Sequence, residues 1–211
     1  MFYFVRTPGW FKKVFPGRIW EMEPEGKSIF FSFDDGPHPE ETLFVLEQLR
    51  AYNAKATFFC VGNNVKDFPE VYQQIIDGGH SVGNHTFQHL NGWKSRDGAY
   101  LADISLAKKY IDSNLFRPPY GRISRFQQER LGDEKFNLKT VMWTVLSGDF
   151  DTSITGDQCV ENVVLNARPG SIVVFHDSAK ASPLLRYALP KLLKYFSEEG
   201  YRFERIEAPL K

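Results

Sequence analysis

Short apolar runs alternate with longer amphipathic stretches along most of the chain. Most of the runs are rich in β-branched and aromatic residues and are bounded by Gly, Pro or Asn, as is typical of buried strands. They predict strands at residues 28–33, 55–60, 80–84, 115–118, 139–143, 171–175 and 201–206. The amphipathic stretches repeat their apolar positions every three to four residues, which indicates helices. They predict helices at residues 40–52, from 69 onward, and at 99–113, 124–132, 156–167 and 184–199.

Strands that alternate with helices form parallel βα units. Polar clusters rich in Gly and Pro follow several different strands, at residues 34–37, 85–89, 117–121, 147–149 and 176–177. Polar clusters at the ends of many strands favour a barrel, whereas an open doubly wound sheet concentrates its functional residues at one switch point. We therefore expect an α/β fold, a distorted (β/α) barrel of about seven parallel strands. The aromatic segment 1–27, broken by Pro and Gly, is predicted to be an irregular arm packed on a catalytic domain at residues 28–211.

Composition narrows the function classes. Lys plus Arg and Asp plus Glu each number 26 in the 211 residues, so no cationic surplus indicates a nucleic-acid partner. Two cysteines are too few for a disulfide framework or a cysteine-based zinc site. No apolar run is long enough to span a membrane, and no signal sequence is recognisable. The default expectation is a cytoplasmic protein. The cell envelope is the alternative, because the substrate considered below could lie there.

Two motifs indicate a metal centre. His85 and His89 are four residues apart, and this spacing would bring both imidazoles to one face of a helix for a divalent ion. Asp34 and Asp35 end the first apolar run, where successive side chains of a strand would point in opposite directions. One carboxylate could then bind a metal while the other contacts the water molecule bound to that metal. Unrelated histidines and a capped Asp-Asp-Gly turn are the alternatives.

Further polar groups follow the later strands. His176 ends the predicted strand at 171–175 and is a candidate general acid, with a metal ligand or a structural histidine as alternatives. Asp149 could orient His176 or form a buried ion pair with Arg117. Tyr120 lies in the rigid sequence Arg-Pro-Pro-Tyr-Gly and could offer its backbone N–H to an oxyanion, although a structural turn is the simpler interpretation.

Together and in this order, the motifs resemble those of the polysaccharide deacetylase family, carbohydrate esterase family 4 (the NodB-homology domain). The likeness spans about residues 28–206. Its elements are Ser-Phe-Asp-Asp-Gly-Pro at 32–37, Gly-Asn-His-Thr-Phe-Gln-His at 83–89, Arg-Pro-Pro-Tyr-Gly at 117–121, part of an Asp-x-x-Asp-Trp motif at 146–150, and Ile-Val-Val-Phe-His-Asp at 172–177. The resemblance implies a hydrolase that removes acetyl groups from N-acetylated or O-acetylated sugars of a polysaccharide or oligosaccharide.

The resemblance also implies roles for individual residues. Asp35, His85 and His89 would hold one divalent ion, zinc by expectation and otherwise cobalt or nickel. Asp34 would be the general base and His176 the general acid, and the Tyr120 N–H would stabilise the oxyanion. Arg117 would keep a neighbouring carboxylate charged, and Asp149 would orient His176.

Two motifs depart from the family pattern. Leu146 replaces the first Asp and Phe150 the Trp of the fourth motif, and that Trp normally walls the sugar groove. Val174 stands where the family often has Leu, in the pocket for the acetyl methyl group. Phe150, Val174, Tyr120 and Pro119 are therefore the expected substrate contacts. An amidase for a small non-sugar amide and a non-catalytic carbohydrate-binding barrel remain as alternatives, and the oligomeric state stays open.

Overall fold

The computed structural model describes residues 3–24 and 26–207. The predicted segments 1–27 and 28–211 therefore include residues outside this description, namely 1, 2, 25 and 208–211. The strands are β1 Ser28–Asp34, β2 Thr57–Cys60, β3 Ser81–Asn84, β4 Leu115–Phe116, β5 Lys139–Thr140, β6 Val145–Leu146, β7 Ile172–His176 and β8 Arg202–Phe203. The helices are α1 Gly9–Val14, α2 Glu41–Ala51, α3 Gly62–Asp67, α4 Pro69–Asp77, α5 Asp97–Ala107, α6 Arg125–Leu131, α7 Gly156–Asn166 and α8 Ser182–Glu198.

Seven parallel strands form one curved sheet in the order β5-β4-β3-β2-β1-β7-β6, and β8 pairs with the beginning of β1. The sheet is an open half-barrel surrounded by helices, which confirms the expected fold class. The central strand β1 is buried along its whole length and pairs with β2 and β7, where Asp34 lies opposite Phe59 and His176. The carboxyl ends of the parallel strands thus meet at one mouth.

The alternation of side chains along β1 and β7 divides the interior into two layers. Phe31, Phe33 and Phe175 face outward into the largest hydrophobic cluster, which α2, α7 and α8 cover. Phe30 and Ile172 face inward with Phe59, Leu115 and Val141. This second cluster fills the floor of the half-barrel, so the polar side chains nearer the mouth rest on an apolar base.

Three parts of the fold differ from the prediction. The segment 1–27 is not wholly irregular, because α1 forms within it. The strand β6 was not predicted, because Val145–Leu146 lies beyond the predicted run 139–143. The helix α3 was also missed, because its sequence Gly-Asn-Asn-Val-Lys-Asp is poor in helix-favouring residues.

The N-terminal arm, residues 3–24, packs along the gap between β5 and β6. The Ile19 N–H donates to Thr140 O at 2.9 Å, and Ile19 O accepts from the Met142 N–H at 2.7 Å. On the other side, Arg6 forms an antiparallel bridge with Val145 of β6. The arm therefore satisfies backbone groups at both free edges of the half-barrel. Among the helices of the described residues, none is long and apolar enough to cross a membrane.

Candidate active site

Asp34 and Asp35 diverge because the chain turns between them. Asp34 is the last residue of β1, and its side chain points into the half-barrel and is buried. Asp35 lies beyond the strand with φ +84°, in the left-handed region. The expected alternation along a strand therefore does not apply to Asp35. The Asn64 side-chain amide donates to Asp35 O at 2.8 Å and fixes this turn.

His85 and His89 do not share a helix, contrary to the expectation from their spacing. They lie in the loop that follows β3, where Thr86 and His89 have φ values of +64° and +54°. These two turns bring the imidazole centroids to 5.1 Å from each other. The loop is held by side chains, because Asn84 Oδ1 accepts the Thr86 N–H at 2.8 Å and Asp103 of α5 accepts two further N–H groups from the loop.

Asp35, His85 and His89 form a candidate metal site. One donor atom from each residue lies within 4.8 Å of the other two. Asp35 Oδ1 is 3.1 Å from His89 Nε2 and 3.7 Å from His85 Nε2. This oxygen is buried and accepts no hydrogen bond of good geometry from the described residues. A divalent cation would satisfy it, and the mixed nitrogen and oxygen donor set is one that such ions accept.

The protonation of His85 also fits a metal ligand. His85 Nδ1 donates to Arg117 O at 2.7 Å, and a carbonyl oxygen can only accept. Burial lowers the pKa of His85 to about 4, so the ring is neutral near pH 7. Its lone pair is therefore on Nε2, the atom that faces Asp35. Burial opposes the charge of Asp35, but His89, His176 and His85 together keep the pKa of Asp35 below its usual range.

Asp34 has a different partner from Asp35. Arg117 Nη1 donates to Asp34 Oδ1 at 2.7 Å and to Ser32 Oγ at 2.8 Å. Arg117 is completely buried, and its guanidinium lies 4.0 Å from the centroid of the Phe59 ring. Burial lowers the pKa of Arg117, an effect that Asp34 opposes. Because arginine stays protonated in proteins, Asp34 is paired with a fixed positive charge beside the candidate metal site.

His176 is paired with Asp149 rather than with the metal group. Its backbone N–H and its Nδ1 contact the two oxygens of Asp149 at 2.7 and 2.8 Å. Of the two roles considered for Asp149, the structure therefore shows the contact with His176, while Arg117 takes Asp34. Burial works against the charged imidazole, but the Asp149 carboxylate outweighs it and raises the pKa of His176 to about 10. The resulting imidazolium carries a second proton on Nε2, which makes it a candidate proton donor.

The expected substrate contacts lie around these groups. Tyr120 has φ +58°, and its ring is exposed with its centroid 4.7 Å from that of His89. The hydrogen bonds of the described residues include none from the Tyr120 N–H. The Phe150 ring lies edge-on to His176 with centroids 5.3 Å apart. Pro119 and Val174 are buried, and Val174 shares the inward face of β7 with His176.

A cleft of about 590 Å³ opens beside Asp35 and His89, and its lining includes Asp177, which the sequence did not single out. Asp177 Oδ1 accepts the Gly36 N–H at 3.0 Å, and its other oxygen accepts the Thr42 hydroxyl. Burial raises the pKa of Asp177 to about 8. The sequence feature that could have identified Asp177 as a site residue is its position directly after His176. For Asp103 the only signal was an acidic residue next to Ile104, on the apolar side of a predicted helix.

Comparison with known proteins gives one consistent result. A sequence model of the family described as polysaccharide deacetylase matches residues 21–133. A peptidoglycan-N-acetylglucosamine deacetylase of Bacillus cereus is 35% identical over 198 residues, which cover 91% of this chain and 92% of that protein. A chitooligosaccharide deacetylase of Azorhizobium caulinodans is 35% identical over 199 residues, 83% of this chain and 93% of that one. The crystal structure of the Bc1960 peptidoglycan N-acetylglucosamine deacetylase superposes with a TM-score of 0.85 at 28% identity, with 95% of each chain covered.

Proposed function

The chain belongs to the polysaccharide deacetylase family, and on this premise we propose that it removes the N-acetyl group of N-acetylglucosamine residues in peptidoglycan. The supporting observation is the arrangement at the mouth, where two separate ion pairs, Arg117–Asp34 and Asp149–His176, flank the candidate metal group. The peptidoglycan substrate is supported by the deacetylases named above, one similar in sequence and one in structure. Such a substrate would place the protein at the cell envelope.

Asp35, His85 and His89 would hold one divalent ion, for which we propose zinc with cobalt or nickel as substitutes. Two imidazoles and one carboxylate suit these metals and leave coordination positions open. When bound, the ion would polarise the acetyl carbonyl and lower the pKa of a water molecule.

The residues of the chain would then move two protons. Asp34, which contacts Arg117, takes a proton from the attacking water. The Tyr120 N–H donates to the acetyl oxygen as negative charge develops on it. His176 Nε2–H gives its proton to the sugar nitrogen as the carbon–nitrogen bond breaks. Water and the amide thereby yield acetate and a free amine, with no covalent intermediate on the protein.

A chitooligosaccharide is the second candidate substrate, because the Azorhizobium caulinodans relative is a chitooligosaccharide deacetylase. Both candidates present an N-acetylglucosamine ring, so the same chemistry would serve either polymer. A binding barrel without activity would have no use for Asp34 as a base or for His176 as an acid. An amidase for small amides would use both groups in the same way and would differ by preferring small amides to polymers.

The test is acetate release from purified peptidoglycan, chitooligosaccharides and O-acetylated xylan, with zinc added to metal-free protein. We expect release from peptidoglycan to be fastest and to depend on zinc. The Asp35→Ala variant is the control for contaminating activity. Release from chitooligosaccharides alone would transfer the assignment to the second substrate, and zinc-independent release would contradict the metal role.

A further inference from the structure

The N-terminal arm continues the sheet beyond β6. The Leu146 N–H donates to Val5 O at 2.8 Å, and the Thr7 N–H donates to Thr144 O at 2.9 Å. This pairing is antiparallel. Because the arm runs against β6, residues that precede Val5 lie toward the carboxyl end of β6. That end carries Asp149 and opens at the mouth of the half-barrel.

Tyr3 is the arm residue that reaches the active site. Its ring lies edge-on to Phe150, with centroids 5.0 Å apart and an interplanar angle of 60°. Phe150 in turn lies edge-on to His176 at 5.3 Å and 75°. A row of three rings therefore runs from the arm to the imidazole that Asp149 holds.

The backbone beneath these rings leaves room for Tyr3. Gly148 has φ +85°, and a Cβ atom at this position would lie 2.9 Å from the Tyr3 hydroxyl oxygen. Any residue other than Gly would therefore be strained and would crowd Tyr3 together with Ile154 and Asn162. The contact thus depends on both partners, the arm and the turn after β6.

We propose that Tyr3 is a positioning residue of the active site that acts through Phe150 on the placement of His176. Edge-on aromatic pairs are directional, so Tyr3 restricts the tilt of Phe150, and Phe150 closes one side of the imidazole. The consequence for catalysis rests on the proposed function, in which His176 is the proton donor.

The test is a double-mutant cycle with Tyr3→Ala and Phe150→Ala on the full chain. We expect Tyr3→Ala to lower kcat/KM for deacetylation about 2- to 10-fold, the range that one aromatic pair contributes. In the Phe150→Ala background the same substitution should have no further effect, because its path to His176 is gone. Tyr3→Phe keeps the ring and should therefore retain the activity of the unaltered protein.

A second measurement does not depend on the substrate. The side chains of the five histidines can be followed by NMR, with His176 assigned through a His176→Asn variant. Because Phe150 lies beside His176, Tyr3→Ala should shift the His176 resonance and leave that of the distant His80 in place. Trp10→Ala is the matched control, since Trp10 is on the same arm and packs edge-on against Phe11. It should change neither measurement.

Three results would overturn the proposal. They are additive losses in the cycle, a Tyr3→Phe variant as impaired as Tyr3→Ala, and an unmoved His176 resonance in Tyr3→Ala. A protein with no deacetylase activity whose His176 resonance responds as expected would contradict the proposed function and leave the role of Tyr3 in positioning the imidazole supported.

Discussion

Adjacent aspartates in this chain meet different charges, and they should therefore respond differently to substitution. Asp34 contacts Arg117, whereas Asp35 contacts His89. Asp34→Asn keeps the shape and an oxygen for Arg117, so we expect it to retain the metal and lose hydrolysis by roughly 10²–10⁴-fold, as removal of a general base does. Asp35→Ala removes a ligand and should release the metal on dialysis. Elemental analysis together with initial rates checks both, and the reverse pattern would exchange the two roles.

The Asp149–His176 pair predicts a pH dependence. His176 must be protonated to act, and Asp149 raises its pKa to about 10, so the activity should persist at mildly alkaline pH and fall as the pH rises through that value. Asp149→Asn removes the charge that favours the imidazolium, while burial still disfavours it. The basic limb of kcat/KM should therefore move to lower pH.

The control for this shift is Asp133→Asn, because Asp133 pairs with Arg130 at the surface. Profiles of kcat/KM against pH for the three proteins provide the measurement. If Asp149→Asn left the basic limb where it is in the unaltered protein, His176 would not be the group that titrates there.

Among the elements, the loop after β3 depends on a helix that contributes no metal ligand. Asp103 of α5 accepts the N–H groups of Phe87 and Gln88 at 2.7 and 3.0 Å. Asp103→Ala would leave both donors without this partner, and the loop that carries His89 would lose one of its anchors. We expect metal affinity to fall about 10- to 100-fold, as for other residues that orient ligands.

Competition with a chelating dye measures this affinity directly. Ser105→Ala, a substitution on the same helix, is the matched control and should bind metal as the unaltered protein does. Equal affinity in Asp103→Ala would show that His89 is held by other contacts, such as the packing of Tyr120 on its ring.

The elements that the sequence predicted are those with several residues in a regular pattern. Strand β1 and helix α7 begin at the predicted residues, whereas β5 keeps only two residues of its predicted run. The histidine pair shows the limit of spacing as a guide. The spacing of i and i+4 for His85 and His89 fits a helix and fits this loop equally well. The positive φ values of Thr86 and His89, which make the loop, produce no hydrophobic pattern in the sequence from which they could be predicted.

At the scale of the whole molecule, the family and an α/β barrel of about seven parallel strands were predicted, and both are confirmed. Both predictions depend on short motifs and on hydrophobic periods within single segments of the chain. The sequence predicted an arm packed on the domain but not which edges of the half-barrel it would cover. The arm contacts β5 and β6, which are far from it in sequence. The same holds for the partner of Arg117, which the sequence identified only as a neighbouring carboxylate with Asp149 as one candidate, and which is Asp34.

Arg117 joins distant strands through the interior, and this gives a prediction for the stability of the whole fold. It follows β4 and contacts Asp34 of β1, while its Nε and Nη2 donate to the carbonyl groups of Val141 and Met142 after β5, at 3.3 and 2.9 Å. Arg117→Ala would leave the buried Asp34 without its cation, a change that destabilises proteins by about 3–5 kcal/mol. We expect a loss of that order in the free energy of unfolding by urea.

The Asp34→Ala, Arg117→Ala double variant distinguishes this cause from a loss of packing. Removing both charges leaves no unpaired ion, so the double variant should lose less stability than the two single variants together. Arg125→Ala is the control, because Arg125 pairs with Glu129 on the exposed face of α6 and such pairs contribute little. Additive losses would mean that Arg117 stabilises the half-barrel through its contacts with Phe59 and with the carbonyl groups of Val141 and Met142, independently of Asp34.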